Sequence, residues 1–194
     1  LALVAGTGIE LDIDATNNAV RFSVSGSLPL ATHPSTTPAS SSDNAANTFI
    51  QDITLDAYRK MQAVNLEAPF FLSQILLPAL RKANGAIVNI SDSSVVRPYG
   101  NYSHYFVSKA GLENLTKVLA VELAPHIRVN GVGPGTVAFP PDFDKRLQSS
   151  ITAKIPMKRT GAEEDIANAV LYLANDATFI TGQVLRVDGG SSIA

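Results

Sequence analysis

Apolar residues along the chain follow two spacings, one typical of buried strands and one typical of helices. Short apolar runs such as AIVNIS at 86–91 are bounded by turn residues, whereas longer segments place apolar residues three or four positions apart. The predicted strands are 86–91, 127–132 and 183–187, and the predicted helices are 55–83, 102–124 and 163–176. Because strands and helices alternate, the pattern predicts an α/β fold with a parallel sheet covered on both faces.

Capping residues and prolines set the predicted ends of the helices. Thr54 is a good N-cap for the first helix, and Pro69 is expected to bend or restart that helix. Pro125 ends the second helix. Thr160 and Glu163 have the spacing of a capping box, which would open the third helix.

Functional residues are expected beyond the carboxyl ends of the strands, where parallel sheets of this kind bind ligands. The loops after Ile90, Val132 and Val187 lie there. Residues 1–194 are expected to form a single domain. Within it, the Ser/Thr/Pro-rich segment 31–48 is typical of a flexible surface loop, either a lid or a tolerated insertion.

Composition excludes several function classes. The chain has 15 Lys+Arg and 17 Asp+Glu, a net charge of −2 and no basic run, so no nucleic-acid or membrane partner is expected. It has no cysteine and three scattered histidines, so no metal site is expected. Charged residues make up only 16%, which favours a surface covered by a partner subunit. A cytoplasmic enzyme is the simplest interpretation.

Tyr105 and Lys109 lie four residues apart on the second predicted helix, so their side chains project from one face. A neighbouring ammonium favours the phenolate and would lower the pKa of the tyrosine toward the neutral range. Tyr105 would then be a proton donor tuned by Lys109. The alternative is a structural pair in which the ring shields the lysine stem.

Motifs spread over most of the chain resemble one enzyme family. They are Asn17-Asn18-Ala19, Asn65, IVNIS at 87–91, YFVSKAGL at 105–112, RVNGVGPG at 128–135 and TGQVLRVDGG at 181–190. In this order they resemble the short-chain dehydrogenase/reductases, and within that family the pteridine reductases. The resemblance implies a Rossmann-like, doubly wound sheet, an NADP-dependent oxidoreductase activity and a homo-tetramer formed through helices 54–83 and 102–124.

The resemblance to pteridine reductases depends on Asp92, which stands thirteen residues before Tyr105. The family usually has serine at this position, whereas pteridine reductases have aspartate. A carboxylate there can hydrogen-bond both the tyrosine and a ring nitrogen of a pterin. If the loop shifts by one residue, Ser93 fills the usual serine role instead. Phe22 and Phe139 match aromatic positions that contact the substrate, although either residue could instead be a packing aromatic.

The resemblance also implies roles for the remaining site residues. With NADPH as hydride source, Tyr105 would supply the proton to a pterin, assisted by Asp92, and Lys109 would bind the nicotinamide ribose. Asn65 would hold a water in the proton relay, or act only at a helix kink beside Pro69. The other expected cofactor contacts are Asn17, Ala19, Ser91, Pro134 and Gly135.

One family feature is absent from the sequence. The glycine-rich turn Thr-Gly-x-x-x-Gly-x-Gly, which receives the pyrophosphate, has only Ala5-Gly6-Thr7-Gly8 as a counterpart, and sixteen residues precede Asn17. We therefore expect a sheet truncated on its N-terminal side, either by deletion or because the chain is a fragment. Two alternative functions follow: a ketone or acyl reductase using Ser93, and a catalytically silent subunit of an oligomer.

Overall fold

The computed structural model describes residues 2–3, 9–14, 19–24, 48–139 and 143–194. The strands are β1 (Ala2–Leu3), β2 (Ile9–Asp14), β3 (Ala19–Val24), β4 (Ala86–Ile90), β5 (Arg128–Pro134) and β6 (Val184–Val187). The α-helices are α1 (Leu55–Gln62), α2 (Ala68–Ala83), α3 (Ser103–Leu123), α4 (Lys145–Lys154) and α5 (Glu163–Leu171). Asn17 and almost all of the predicted loop at 31–48 lie outside the described residues.

A parallel sheet of four strands forms the centre of the described fold, in the order β1-β4-β5-β6. Strand β4 pairs with β5 so that Val88 lies opposite Asn130, and β5 pairs with β6 so that Gly133 lies opposite Arg186. The three strands predicted from apolar runs are all present, within two residues of their expected ends. The predicted α/β fold is confirmed.

Strands β2 and β3 form a separate antiparallel pair. This pairing was not expected, because the resemblance placed Ala19 after a strand of the main sheet. Ala19 instead begins β3, opposite Asp14. Phe22 lies within β3, but its side chain is outside the described part of the structure.

Two apolar clusters cover the two faces of the sheet, as the alternation of strands and helices predicted. On one face Ile87 and Val129 pack with Leu76, Leu80 and Leu123 of the flanking helices. On the other face, Val88 and Val132 pack with Leu173 and Ala177. Consecutive residues of β4 therefore point into opposite clusters, as strand geometry requires. This two-sided burial fixes the carboxyl ends of β4 and β5, where the site lies.

The helix ends agree with the sequence in three places and differ in one. Thr54 caps α1, since its Oγ1 accepts from the backbone N of Ala57 at 3.1 Å, and α3 ends at Leu123, just before Pro125. Pro69 lies in the first turn of α2, which restarts the helical run after a π-helical turn over Ala63–Glu67, as the sequence predicted.

The predicted capping box of Thr160 and Glu163 is wrong. Helix α5 begins at Glu163 and its N-cap is Ala162, whose side chain has no oxygen. The carboxylate of Asp165 instead reaches back and accepts from the backbone N of Ala162 at 2.9 Å. Asp165 also pairs with Arg159 at 2.9 Å. The chain enters this helix two residues later than the box requires.

One described helical run, Leu55–Ala83, is long and apolar enough by length and composition to cross a membrane, with a hydropathy of 1.3 in its most apolar window. Core helices of soluble proteins pass the same test. Here Leu76 and Leu80 of this run pack against Ile87 of the sheet, whereas Phe70, Phe71 and Ile75 are exposed. The run therefore has one face in the core and one apolar face outward.

Candidate active site

Asp92 follows the carboxyl end of β4 and is the N-cap of a short 3₁₀ turn, Ser93–Val96. One carboxylate oxygen, Oδ1, accepts from the backbone N of Ser94 at 2.7 Å. The other, Oδ2, accepts from the Tyr105 hydroxyl at 2.9 Å. The cap fixes the carboxylate and leaves one oxygen facing the tyrosine. In this arrangement Asp92, rather than Ser93, pairs with Tyr105.

Tyr105 lies in the first turn of α3, within a cluster of aromatic rings. Tyr102 and Phe106 contact its ring edge-on at centroid distances of 6.4 and 5.5 Å, and Tyr99 contacts both of these neighbours. Burial raises the pKa of Tyr105 well above its usual range, and the charge and hydrogen bond of Asp92 raise it further. Tyr105 is therefore held protonated, as a hydroxyl that donates to a carboxylate.

Lys109 lies one turn further along α3. Its Nζ donates to the carbonyl oxygen of Ile90, at the end of β4, over 2.9 Å. The Nζ atom is 5.8 Å from the centroid of the Tyr105 ring. Burial lowers the pKa of Lys109, and the nearby charge of Asp92 opposes that shift. The sequence predicted that Lys109 lowers the pKa of Tyr105. In the structure this pKa is raised instead, because burial and Asp92 both raise it.

Asn65 lies in the π-helical turn and contacts α3. Its Nδ2 donates to Oγ of Ser108 at 3.0 Å, and Ser108 donates to the carbonyl oxygen of Tyr105 at 2.6 Å. The same amide nitrogen lies 3.0 Å from Sδ of Met61. Asn65 is thus connected to Tyr105 through Ser108, so the structure brings it to the site.

Ser91 is buried with 5% exposure, and its Oγ donates to Oε1 of Glu113 at 2.7 Å. Its hydroxyl is therefore directed into the protein, toward α3. The cofactor contact expected for Ser91 stays a prediction. A buried carboxylate requires donors, and Ser91 supplies one of them.

Gly135 follows β5, and its backbone N donates to the carbonyl oxygen of Val187 at 2.9 Å. A Cβ atom at this position would lie 2.6 Å from Cα of Asp188. Residue 135 must therefore be glycine because its backbone closely approaches Asp188, which follows β6. Pro134, the last residue of β5, pairs with Val187 in the sheet. The cofactor contacts expected for Pro134 and Gly135 stay predictions.

Phe139 stacks on Phe143, with ring centroids 5.1 Å apart and planes 28° apart. Phe143 is buried and precedes α4. The packing role considered for Phe139 is thus present in the structure, and its contact with a substrate stays a prediction.

The sequence did not reveal the buried ion pair of Arg186 and Glu113. Nη1 and Nη2 of Arg186 lie 2.5 and 2.7 Å from Oε1 and Oε2 of Glu113, respectively. Nη1 also lies 3.3 Å from the carbonyl oxygen of Asp92. The available signal for this pair was two charged residues among apolar ones. Arg186 lies inside the strand sequence VLRV, and Glu113 lies in the middle of the second predicted helix. Their partners could not be assigned without the fold.

The described residues fit the nicotinamide end of a dinucleotide. Asp92, Tyr105 and Lys109 meet beyond the carboxyl ends of β4 and β5, where sheets of this class bind cofactors. A partly buried tyrosine hydroxyl and a partly buried lysine amine on one helical face are suitable donors for a ribose and a reacting atom. The only counterpart of the phosphate-binding turn, Ala5-Gly6-Thr7-Gly8, lies outside the described residues. No group of residues suited to a metal ion occurs among those described.

The fold is that of a Rossmann-like α/β domain, and the site lies at the carboxyl ends of its parallel strands. A family model described as enoyl-(acyl carrier protein) reductase matches residues 39–192, and the chain belongs to the short-chain dehydrogenase/reductase family.

Two curated relatives illustrate this membership. L-xylulose reductase of Bos taurus is 38% identical over 159 residues, which are 76% of this chain and 65% of the relative. The 3-oxoacyl-(acyl-carrier-protein) reductase FabG of Thermotoga maritima is 40% identical over 134 residues, 66% of this chain and 54% of the relative.

A solved structure agrees. The structure of an apo SCOR enzyme from Clostridium thermocellum aligns with a TM-score of 0.67 and 31% identity, covering 77% of this chain and 60% of that one. The chain thus spans about three-fifths of the length of the relatives that it matches.

Proposed function

We propose that this protein reduces a pterin, of the dihydropteridine or dihydrofolate kind, with NADPH as the hydride source. The supporting observation is the hydrogen bond of 2.9 Å between the Tyr105 hydroxyl and the carboxylate of Asp92. A carboxylate beside the proton donor suits a substrate with basic ring nitrogens. A simple ketone offers only an acceptor oxygen and has no use for a second, negatively charged acceptor.

Each residue of the site has one task in this proposal. Tyr105 donates the proton, and Asp92 orients the hydroxyl and hydrogen-bonds a protonated ring nitrogen. Lys109 holds the nicotinamide ribose from the end of β4. Asn65, through Ser108, fixes the backbone of Tyr105 and holds a water of the proton relay. The cofactor, when bound, supplies the hydride.

The test compares two substrates with two variants at residue 92. Wild-type protein should oxidise NADPH in the presence of dihydrobiopterin, and Tyr105→Phe should abolish the reaction. Asp92→Ser keeps a hydroxyl at the family's usual serine position, so this variant should lose pterin turnover and gain turnover of a ketone. Asp92→Ala should lose both reactions. Equal pterin turnover by wild type and Asp92→Ser would contradict the proposal.

A carbonyl reductase is the second candidate, because the two curated relatives described above are named as reductases of a sugar and of a 3-oxoacyl thioester. In this candidate Ser93, which is buried with 3% exposure, takes the serine role after a shift of the loop by one residue. Ser93→Ala separates the two candidates. It should abolish ketone reduction if Ser93 is the partner of Tyr105, and leave pterin reduction intact if Asp92 is.

We also propose a cytoplasmic homo-tetramer assembled through the helical run Leu55–Ala83 and α3. The exposed apolar side chains on these helices, among them Phe70, Phe71 and Val121, support this assembly. A catalytically silent subunit would share the assembly and lack the chemistry. Fluorescence titration with NADPH, combined with a sizing column, distinguishes the two: an oligomer that binds no dinucleotide is the silent subunit.

A further inference from the structure

The Arg186–Glu113 pair connects three elements around the site. Arg186 comes from the edge strand β6, Glu113 from α3, and both are bonded to the residues that follow β4. Ser91 donates to Glu113 at 2.7 Å, and Arg186 reaches the carbonyl oxygen of Asp92 at 3.3 Å. The pair therefore contacts Ser91 and the backbone of Asp92, and so fixes the segment that carries the Asp92 carboxylate.

The sequence makes room for this contact at Gly133. Strand β5 lies between β4 and β6, so Arg186 must cross β5 to reach Asp92. Gly133 is the residue opposite Arg186 in the sheet. A Cβ atom at Gly133 would lie 2.5 Å from Nη1 of Arg186 and 3.0 Å from its Cδ. Only the missing side chain lets the guanidinium pass over the strand.

The pair is also shielded from water, since the side-chain exposures are 19% for Arg186 and 10% for Glu113. A forked contact of a guanidinium with a carboxylate fixes both partners in direction as well as in distance. An exposed pair such as Arg159–Asp165, at 54% and 37%, has a single nitrogen contact and no connection to the site. The two ion pairs of the described chain thus differ in what they can position.

We propose that Arg186 and Glu113 are positioning residues, which hold the Asp92 backbone so that its carboxylate meets the Tyr105 hydroxyl. The inference rests on the proposed function for its catalytic consequence, but its geometric part concerns Asp92 and Tyr105 alone. Without the Arg186–Glu113 pair, the Asp92 carbonyl oxygen loses its contact with Arg186. The Asp92 carboxylate then no longer stays within hydrogen-bond distance of Tyr105.

The first readout needs no turnover. The onset of Tyr105 ionisation as the pH is raised is followed in the full 194-residue chain by NMR of ring-labelled tyrosine, assigned with Tyr105→Phe. Because Asp92 contributes to the raised pKa of Tyr105, Arg186→Met should lower that pKa toward the usual value. Arg186→Lys should fall between wild type and Arg186→Met. The matched control Arg159→Met should leave Tyr105 unchanged.

The second readout is kinetic. Arg186→Met should lower kcat for dihydrobiopterin by about tenfold to a hundredfold, as misplacement of a reacting group does, without changing the KM for NADPH. If the pKa of Tyr105 falls in the variant while wild type reduces no pterin, the proposed function fails and the positioning role stands. A folded Arg186→Met with an unchanged Tyr105 pKa overturns the positioning role.

Gly133→Ala keeps the test decisive if Arg186→Met does not fold. The added methyl group displaces the flexible end of Arg186 and leaves both charges in place. It should lower the pKa of Tyr105 in the same direction as Arg186→Met. An unchanged Tyr105 in folded Gly133→Ala contradicts the positioning role.

Discussion

The Tyr105 hydroxyl lies 2.9 Å from Oδ2 of Asp92, although the two residues belong to different elements. Asp92 is placed by the end of β4 and by its own cap on Ser94, and Tyr105 by the first turn of α3. Two independently fixed backbones therefore meet at one hydrogen bond. The proposed chemistry and the proposed role of Arg186 both depend on this contact.

Removal of the charge of Asp92 should lower the pKa of Tyr105. In the folded protein burial raises this pKa most, and the charge and hydrogen bond of Asp92 raise it further. Asp92→Asn keeps the size of the side chain and removes the charge, so the phenolate becomes less unfavourable. Titration of the tyrosine absorbance in wild type and Asp92→Asn, with Tyr105→Phe as a blank, measures the change. A Tyr105 pKa that rises in Asp92→Asn would refute the assignment.

Loss of Arg186 should destabilise the fold more than loss of an exposed arginine. Arg186→Met leaves the nearly buried carboxylate of Glu113 without its partner, which costs about 3–5 kcal/mol. Arg159→Met removes an exposed pair and should cost about 0–1 kcal/mol. Urea unfolding of both variants gives the comparison. The double variant Glu113→Leu/Arg186→Met should recover most of the loss, since no unpaired charge remains.

Gly135 should tolerate no side chain, whereas Gly100 should. A Cβ atom at 135 would lie 2.6 Å from the backbone of Asp188, and a Cβ atom at 100 has nothing within 4 Å. Gly135→Ala should therefore lower the free energy of unfolding by about 1–3 kcal/mol through overpacking. Gly100→Ala should stay within about 0.5 kcal/mol of wild type. Equal denaturation midpoints for the two variants would contradict the close approach after β5.

Stability should fall in acid partly because of His104. This residue is buried, its Nδ1 has no hydrogen-bond partner among the described residues, and burial lowers its pKa below the ordinary value of 6.5. The unfolded chain binds the proton more tightly, so stability is full above pH 6.5 and decreases as the pH falls toward the folded-state pKa. Thermal unfolding between neutral and mildly acidic pH, compared with His104→Phe, should show a shallower acid loss in the variant. Identical slopes would exclude this contribution.

The parts of the fold that the sequence predicted well are those determined by local patterns. Most of AIVNIS and IRVNGV lies in β4 and β5, because apolar runs of that length bury on both faces of a parallel sheet. The Asp92–Tyr105 contact followed from the resemblance, which carried the spacing of the two residues.

The parts that could not be predicted depend on contacts between distant segments. Arg186 and Glu113 are 73 residues apart, and Gly133 matters only because β5 lies between β4 and β6. Ser91 turned toward Glu113 because this pair already occupied the interior. Thr160 failed as a cap because Asp165 satisfies the start of α5 from inside the helix.

The most direct test of the account is NADPH oxidation with dihydrobiopterin, followed by absorbance, in wild type and Tyr105→Phe side by side. Both proteins are first titrated with NADPH and with NADH by fluorescence to establish binding. The account predicts binding of NADPH by both proteins and turnover by wild type alone. Binding without turnover in wild type, or equal turnover in Tyr105→Phe, would contradict a reaction in which Tyr105 supplies the proton.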